Sequence, residues 1–98
     1  LGKYRQAARV DDNQKAIVEA LRDIPGVQVE PGHDDILVGY KGKTYWFELK
    51  DPEKVFNLDG SFKKGAIKPS QERLLDNWTG HYQIVWELGQ ILKSIGIK

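Results

Sequence analysis

The chain has 98 residues, 40% of them hydrophobic and 30% charged, with a formal net charge of +1. That length suits one domain around one small core, and so balanced a charge does not by itself announce a nucleic-acid binder. Cysteine is absent, which excludes disulfides, thiolate nucleophiles and cysteine-bound zinc; no apolar run is long enough to cross a bilayer, no basic-then-apolar segment marks a secretory signal, and two histidines are too few for a histidine-rich metal site.

Lys3, Tyr4, Arg5 and Arg9 lead the chain, so residues 1–10 read either as a flexible basic leader or as an arm that contacts nucleic acid. "DDNQKAIVEALRDIPG" (11–26) predicts a helix. Asp11 or Asp12 suits its N-cap, Ile17, Val18, Leu21 and Ile24 recur at helical spacing, and Pro25-Gly26 stops it. "VQVE" (27–30) alternates as a short strand does, and "PGHDD" is a turn. "ILVGY" (36–40) is a β-branched, apolar strand, "KGK" a tight reversal and "TYWFELK" (44–50) an aromatic-rich strand. Three strands with short links make an antiparallel meander.

Residues 51–67, with Pro52, Gly60 and Gly65, read as a long loop of the kind that is often functional or mobile. "KPSQERLLDNWTG" (68–80) predicts a second main helix, with Pro69 in its first turn, Gly80 at its end and Leu74, Leu75 and Trp78 as its buried face. "YQIVWEL" (82–88) is a fourth strand, and "GQILKSIGIK" (89–98) a closing helix carrying Ile91, Leu92 and Ile95. The order is α-β-β-β-α-β-α. The fourth strand follows a helical crossover, so it runs parallel to a neighbour in the meander, and the expected fold is α/β with a mixed four-stranded sheet in a single domain, 1–98.

Alternation puts Trp46, Glu48 and Lys50 on one face of their strand, and Tyr45, Phe47 and Leu49 on the other. A hairpin turning at Lys41–Lys43 brings the start of 36–40 beside the end of 44–50, so Asp35 falls near Glu48 and Lys50. Carboxylate oxygens are hard ligands suited to magnesium or manganese. A cation held by two of them keeps positions for water and a phosphate oxygen. The Leu49 backbone carbonyl is a further candidate ligand, and Lys50 can orient a water or offset developing charge. An ordinary cross-strand ion pair, contributing about 0.2–1 kcal/mol, accounts for the same residues, and E-x-K alone is a weak motif.

The ordered set "DDNQKAIVEALR", "GHDDILVGYKGKTYWFELKD", "KPSQ" and "NWTG" resembles the PD-(D/E)xK nuclease superfamily, and within it the virus-type replication-repair nuclease (VRR-NUC) group and related phage proteins. The resemblance spans roughly residues 11–88. It implies a restriction-endonuclease-like core and a Mg²⁺- or Mn²⁺-dependent endodeoxyribonuclease. Asp35 and Glu48 would be metal ligands, Lys50 the catalytic lysine and Gln71 the residue supporting the site from the second helix. It also implies DNA as substrate, possible selectivity for branched or junction structures, a homodimer, a bacterial or phage-encoded protein in the cytoplasm, and no membrane or organic cofactor. Two departures stand out. The family's proline before the acid is Asp34 here, so either aspartate can coordinate, with Asp35 favoured because it abuts the apolar strand. The first helix usually supplies a glutamate or another polar residue towards the metal in the family; here an amide, Asn13 or Gln14, occupies that region, and Glu19 lies further along.

Lys63, Lys64 and Lys68 in "FKKGAIK" are candidate phosphate contacts, with Arg9 from the leader; a merely soluble loop is the alternative. His33 and His81 read as turn residues. Trp46 reads as a wall under a helix or a stacking surface for a base, and Trp78 and Trp86 as structural. The competing functions are a catalytically inactive nucleic-acid-binding module on the same fold, and a protein-interaction domain with ordinary surface ion pairs.

Overall fold

The computed structural model describes residues 12–97. Lys3, Tyr4, Arg5, Arg9 and the cap candidate Asp11 lie outside the described residues. The elements run α1 (Asp12–Arg22), β1 (Gln28–Pro31), β2 (Asp35–Tyr40), β3 (Lys43–Leu49), α2 (Pro52–Val55), α3 (Pro69–Asn77), β4 (Gln83–Val85) and α4 (Leu88–Ile95). The strands form one sheet in the order β1-β2-β3-β4. β1–β2 and β2–β3 are antiparallel and β3–β4 is parallel, so the sheet is mixed, as the crossover requires.

The β2–β3 hairpin turns on Lys41 and Gly42, with φ of +52° and +81°. Two positive φ values at the centre of a two-residue loop match the strands' right-handed twist. The turn locks a register from Tyr40↔Lys43 down to Asp35↔Glu48. Ile36, Val38, Phe47 and Leu49 then share one face and are buried, together with Val29 and Val85 from the flanking strands. α1 covers them with Ile17, Val18 and Leu21, and α4 with Ile91 and Ile95. Burying each such side chain contributes about 1.5–3 kcal/mol. At the outer edge of the sheet, the Arg22 guanidinium donates to the Val29 carbonyl at 3.1 Å, occupying one acceptor of an otherwise exposed edge strand.

Four expectations need correction. First, residues 51–67, expected as a long loop, carry a short helix and a bridge of their own. Asp51 caps α2 by accepting from the Glu53 amide at 3.0 Å, and Phe56 pairs antiparallel with Phe62. The two rings stack at 4.8 Å between centroids, edge-on to Trp86 at 5.1 and 5.8 Å. An aromatic cluster of their own orders the segment.

Second, the fourth strand ends at Val85, because the Gln90 side chain accepts from the amides of Trp86 (2.6 Å) and Glu87 (3.1 Å) and turns the chain into α4. Third, β3 ends at Leu49, although the Lys50 amide still donates to the Val85 carbonyl at 2.9 Å. Fourth, α3 is shorter than 68–80 and does not bury Leu75 or Trp78, which are 46% and 50% exposed; its one fully buried residue is Gln71. The helix docks through its polar first turn instead of its apolar face. Among the described residues, no helix is long and apolar enough to cross a membrane.

Candidate active site

Asp35 and Glu48 face each other across the β2–β3 pair. One step beyond, the Leu49 amide donates to the Asp34 carbonyl at 2.8 Å. Hydrogen-bonded and non-hydrogen-bonded pairs alternate along an antiparallel ladder, so Asp35 and Glu48 occupy a non-hydrogen-bonded position. There the Cα atoms are about 4.5 Å apart and side chains approach most closely. The strand register thus pairs Asp35 with Glu48, through a turn of two residues, Lys41 and Gly42, in place of the expected Lys41–Lys43. In a strand a residue's amide and carbonyl point to the same side, so the Leu49 carbonyl also lies towards β2, beside the two acids.

Each acid is held by a different neighbour. Asp35 Oδ2 accepts from the Trp46 indole Nε1 at 2.8 Å. Its other oxygen rests over Gly32, where an added Cβ would collide with it. The Gly32 amide donates to the Asp35 carbonyl at 2.7 Å, and the Gly32 carbonyl accepts from Gln14 Nε2 at 3.2 Å, so α1 fixes the turn beneath the aspartate. Glu48 is only 7% exposed. Its pKa is pushed up to about 7, first by burial, which Lys50 opposes, and further by the negative charges of Asp35 and Asp34, with Lys68 again opposing.

Lys50 Nζ stands 4.0 Å from Glu48 Oε2, the outer limit of an ion pair and too long for a hydrogen bond. Its firm partner is Gln71, whose Oε1 accepts from Lys50 Nζ at 2.8 Å and from the Lys68 amide at 3.0 Å. One side-chain oxygen therefore caps α3 and aims the lysine. Asn13 completes the frame: its Nδ2 donates to the carbonyls of Lys50 (3.0 Å) and Trp86 (3.4 Å), tying α1 to the main chain at the end of β3.

Of the remaining candidates, Asp34 turns its carboxylate to His33 Nδ1 at 3.1 Å, which favours Asp35 as the acid facing Glu48. Glu19 is exposed on α1. Lys68, at the start of α3, acts on Glu48 electrostatically, whereas Lys63 and Lys64 are exposed in the segment after Phe62. Arg9 lies outside the described residues.

Sequence reasoning missed three contributors. Trp46 orients Asp35, in addition to packing edge-on against Trp78 (5.4 Å) and Tyr82 (4.8 Å). His81 Nδ1 accepts from the Trp46 amide at 3.2 Å, with its ring edge-on to Tyr45 and Phe47, so it anchors β3 from the core side. Tyr82 has a buried hydroxyl that makes no hydrogen bond of full geometry. Its pKa is pushed up to about 12, first by burial, then by the charges of Glu48 and Asp35 and by its interaction with the Glu48 carboxylate. Parallel pairing of Glu48 with Ile84 was the missing signal, since it puts residues 82 and 46 side by side.

The donor set fits a hard divalent cation. Among the described residues no three His, Cys, Asp or Glu side chains converge as a metal-binding group. A cation here would rest on Asp35, Glu48 and the Leu49 carbonyl, with water completing the shell, as magnesium favours. The raised pKa of Glu48 marks a buried carboxylate whose charge Lys50 leaves incompletely compensated. Comparisons with protein-family models, curated proteins and solved structures return no match.

Proposed function

We propose that this chain is a metal-dependent nuclease on a restriction-endonuclease-like core, hydrolysing phosphodiester bonds in DNA. The observation that carries the reading is the facing pair Asp35 and Glu48 with Lys50 beside them, aimed by Gln71 from a distant helix. A surface ion pair needs no such support, and Gln71 is 8% exposed, so the lysine's partner is built in.

In this reading Asp35, Glu48 and the Leu49 carbonyl hold Mg²⁺ or Mn²⁺. When bound, the cation lowers the pKa of a coordinated water and offsets charge on the scissile phosphate. Lys50 donates to the attacking water or to a phosphate oxygen, and Gln71 keeps its ammonium from collapsing onto Glu48. Water oxygen attacks phosphorus in line with the departing sugar oxygen and gives one proton up to solvent, the P–O bond to the sugar oxygen breaks, and the leaving alkoxide takes a proton from solvent. Trp46 holds Asp35 still during the step. Lys68, with Lys63 and Lys64 further out, meets backbone phosphates. A homodimer in a bacterial or phage-infected cytoplasm, acting on branched DNA, completes the proposal.

The test is a panel of single-stranded, duplex, flapped and four-way DNA, each with magnesium and with manganese. Metal-dependent cleavage of at least one substrate, lost in Glu48→Ala and Lys50→Ala, is expected. Salt-sensitive DNA binding with no product on any substrate would replace the enzyme with a binding module on the same fold.

A further inference from the structure

Trp46 and Tyr82 touch edge-to-face at 4.8 Å on the same side of the sheet as the two acids. Each carries one polar hydrogen. The Trp46 N–H is donated to Asp35. The Tyr82 O–H is buried, has no partner of full geometry, and lies within the field of Glu48. Glu48 in turn has no well-formed bond to Lys50, whose ammonium is taken by Gln71. The placement follows from topology. β4 runs parallel to β3 with Ile84 beside Glu48, so the chain two residues earlier brings Tyr82 alongside Trp46.

We propose that Tyr82 is the positioning residue for Glu48, as Trp46 is for Asp35; this rests on the nuclease reading given above. Together the aromatic pair would fix one oxygen of each carboxylate and leave the others free for a shared cation. A ligating carboxylate whose outer oxygen is hydrogen-bonded loses less freedom on binding metal, and removing such a partner typically weakens affinity about 10–100-fold. The phenol suits this task because its buried hydroxyl, one strand period from Glu48 on the same face, has a hydrogen to donate to a carboxylate oxygen.

The experiment has two arms, both using the intact chain. In the first, thermal unfolding without metal follows a double-mutant cycle of Tyr82→Phe and Glu48→Ala. Tyr82→Phe keeps the ring against Trp46 and removes only the oxygen. A melting temperature that Tyr82→Phe lowers more in the wild-type background than in the Glu48→Ala background shows that the hydroxyl acts through the carboxylate. Equal shifts in both backgrounds overturn the proposal. In the second arm, calorimetric titration with Mn²⁺ compares wild type with Tyr82→Phe. An affinity weakened about 10-fold or more supports positioning, and an unchanged affinity limits Tyr82 to packing and overturns it. If wild type binds no Mn²⁺, the metal-dependent reading and the positioning role fall together, while the first arm still reports whether tyrosine and glutamate touch.

Discussion

The two faces of the β2–β3 hairpin are made from alternate residues of the same strands, yet they are built on opposite terms. On one face Ile36, Val38, Phe47 and Leu49 are sealed beneath α1 and α4. On the other, Asp35, Trp46, Glu48 and Lys50 lie beside Leu37, which is 45% exposed against 1% for its neighbour Ile36. The face beneath α1 and α4 supplies the stability, and the opposite face supplies the chemistry. A close-packed floor lets a charge sit desolvated at a set position, because the backbone beneath it cannot yield. The cost shows in Glu48, whose ionised form is disfavoured by burial.

If the division of labour is real, substitutions one residue apart should have different consequences. The largest effect is expected on the packed face: Phe47→Ala should destabilise by about 3–5 kcal/mol in urea unfolding, enough to unfold much of a marginally stable small domain. Its neighbour Glu48→Ala should remain folded and lose cleavage. Loss of folding in both would show that the faces are not separable.

Gly32→Ala comes next, since its Cβ meets the Asp35 carboxylate. We expect about 1–3 kcal/mol of destabilisation, with a change in Trp46 fluorescence as Asp35 leaves the indole. Wild-type stability and spectrum would mean that Asp35 is not held where the structure puts it.

Glu48 should also tilt the stability–pH curve of the metal-free protein. The folded chain keeps this proton up to about pH 7, whereas the unfolded chain releases it near 4.5. Between those values the folded state binds more protons, so stability falls as pH rises and levels off above about pH 7. Glu48→Gln, uncharged throughout, should lack that fall and be more stable than wild type at pH 8, on the order of 2 kcal/mol after allowing for residual solvent screening. Parallel curves for the two proteins would refute the desolvation of Glu48.

The smallest effect is expected for Gln71→Ala, which removes a helix cap at about 1 kcal/mol and frees Lys50 to approach Glu48. Cleavage should drop more than stability does, as read from steady-state rates beside the unfolding midpoint.

Much of this was legible in the residues. Period-2 alternation separates Phe47 from Glu48, whereas the reversal expected at Lys41–Lys43 is shorter by one residue in the structure, and it is this two-residue turn that sets the partner of each. Helical spacing found Ile17, Val18 and Leu21. The same rule misled for Leu75 and Trp78, because a helix can dock through a polar end, as α3 does with Gln71, and leave its apolar side open. The order within 51–67 is not legible locally because it comes from Phe56 and Phe62 meeting Trp86, which lies beyond α3 and β4 in the chain. The strand pattern of 82–88 overruns Val85 because Gln90 acts as a cap from within the following helix.

Local chemistry was enough to bring Asp35 near Glu48: a short reversal joins two strands, and the alternating pattern favours a register that keeps the apolar side chains together. Nothing local could assign Gln71 to Lys50, His81 to the Trp46 amide or Tyr82 to the acid pair. Those contacts join positions separated by a helical crossover, and they depend on how α3 and β4 come to rest against β3, a matter of packing between elements that no short-range periodicity records.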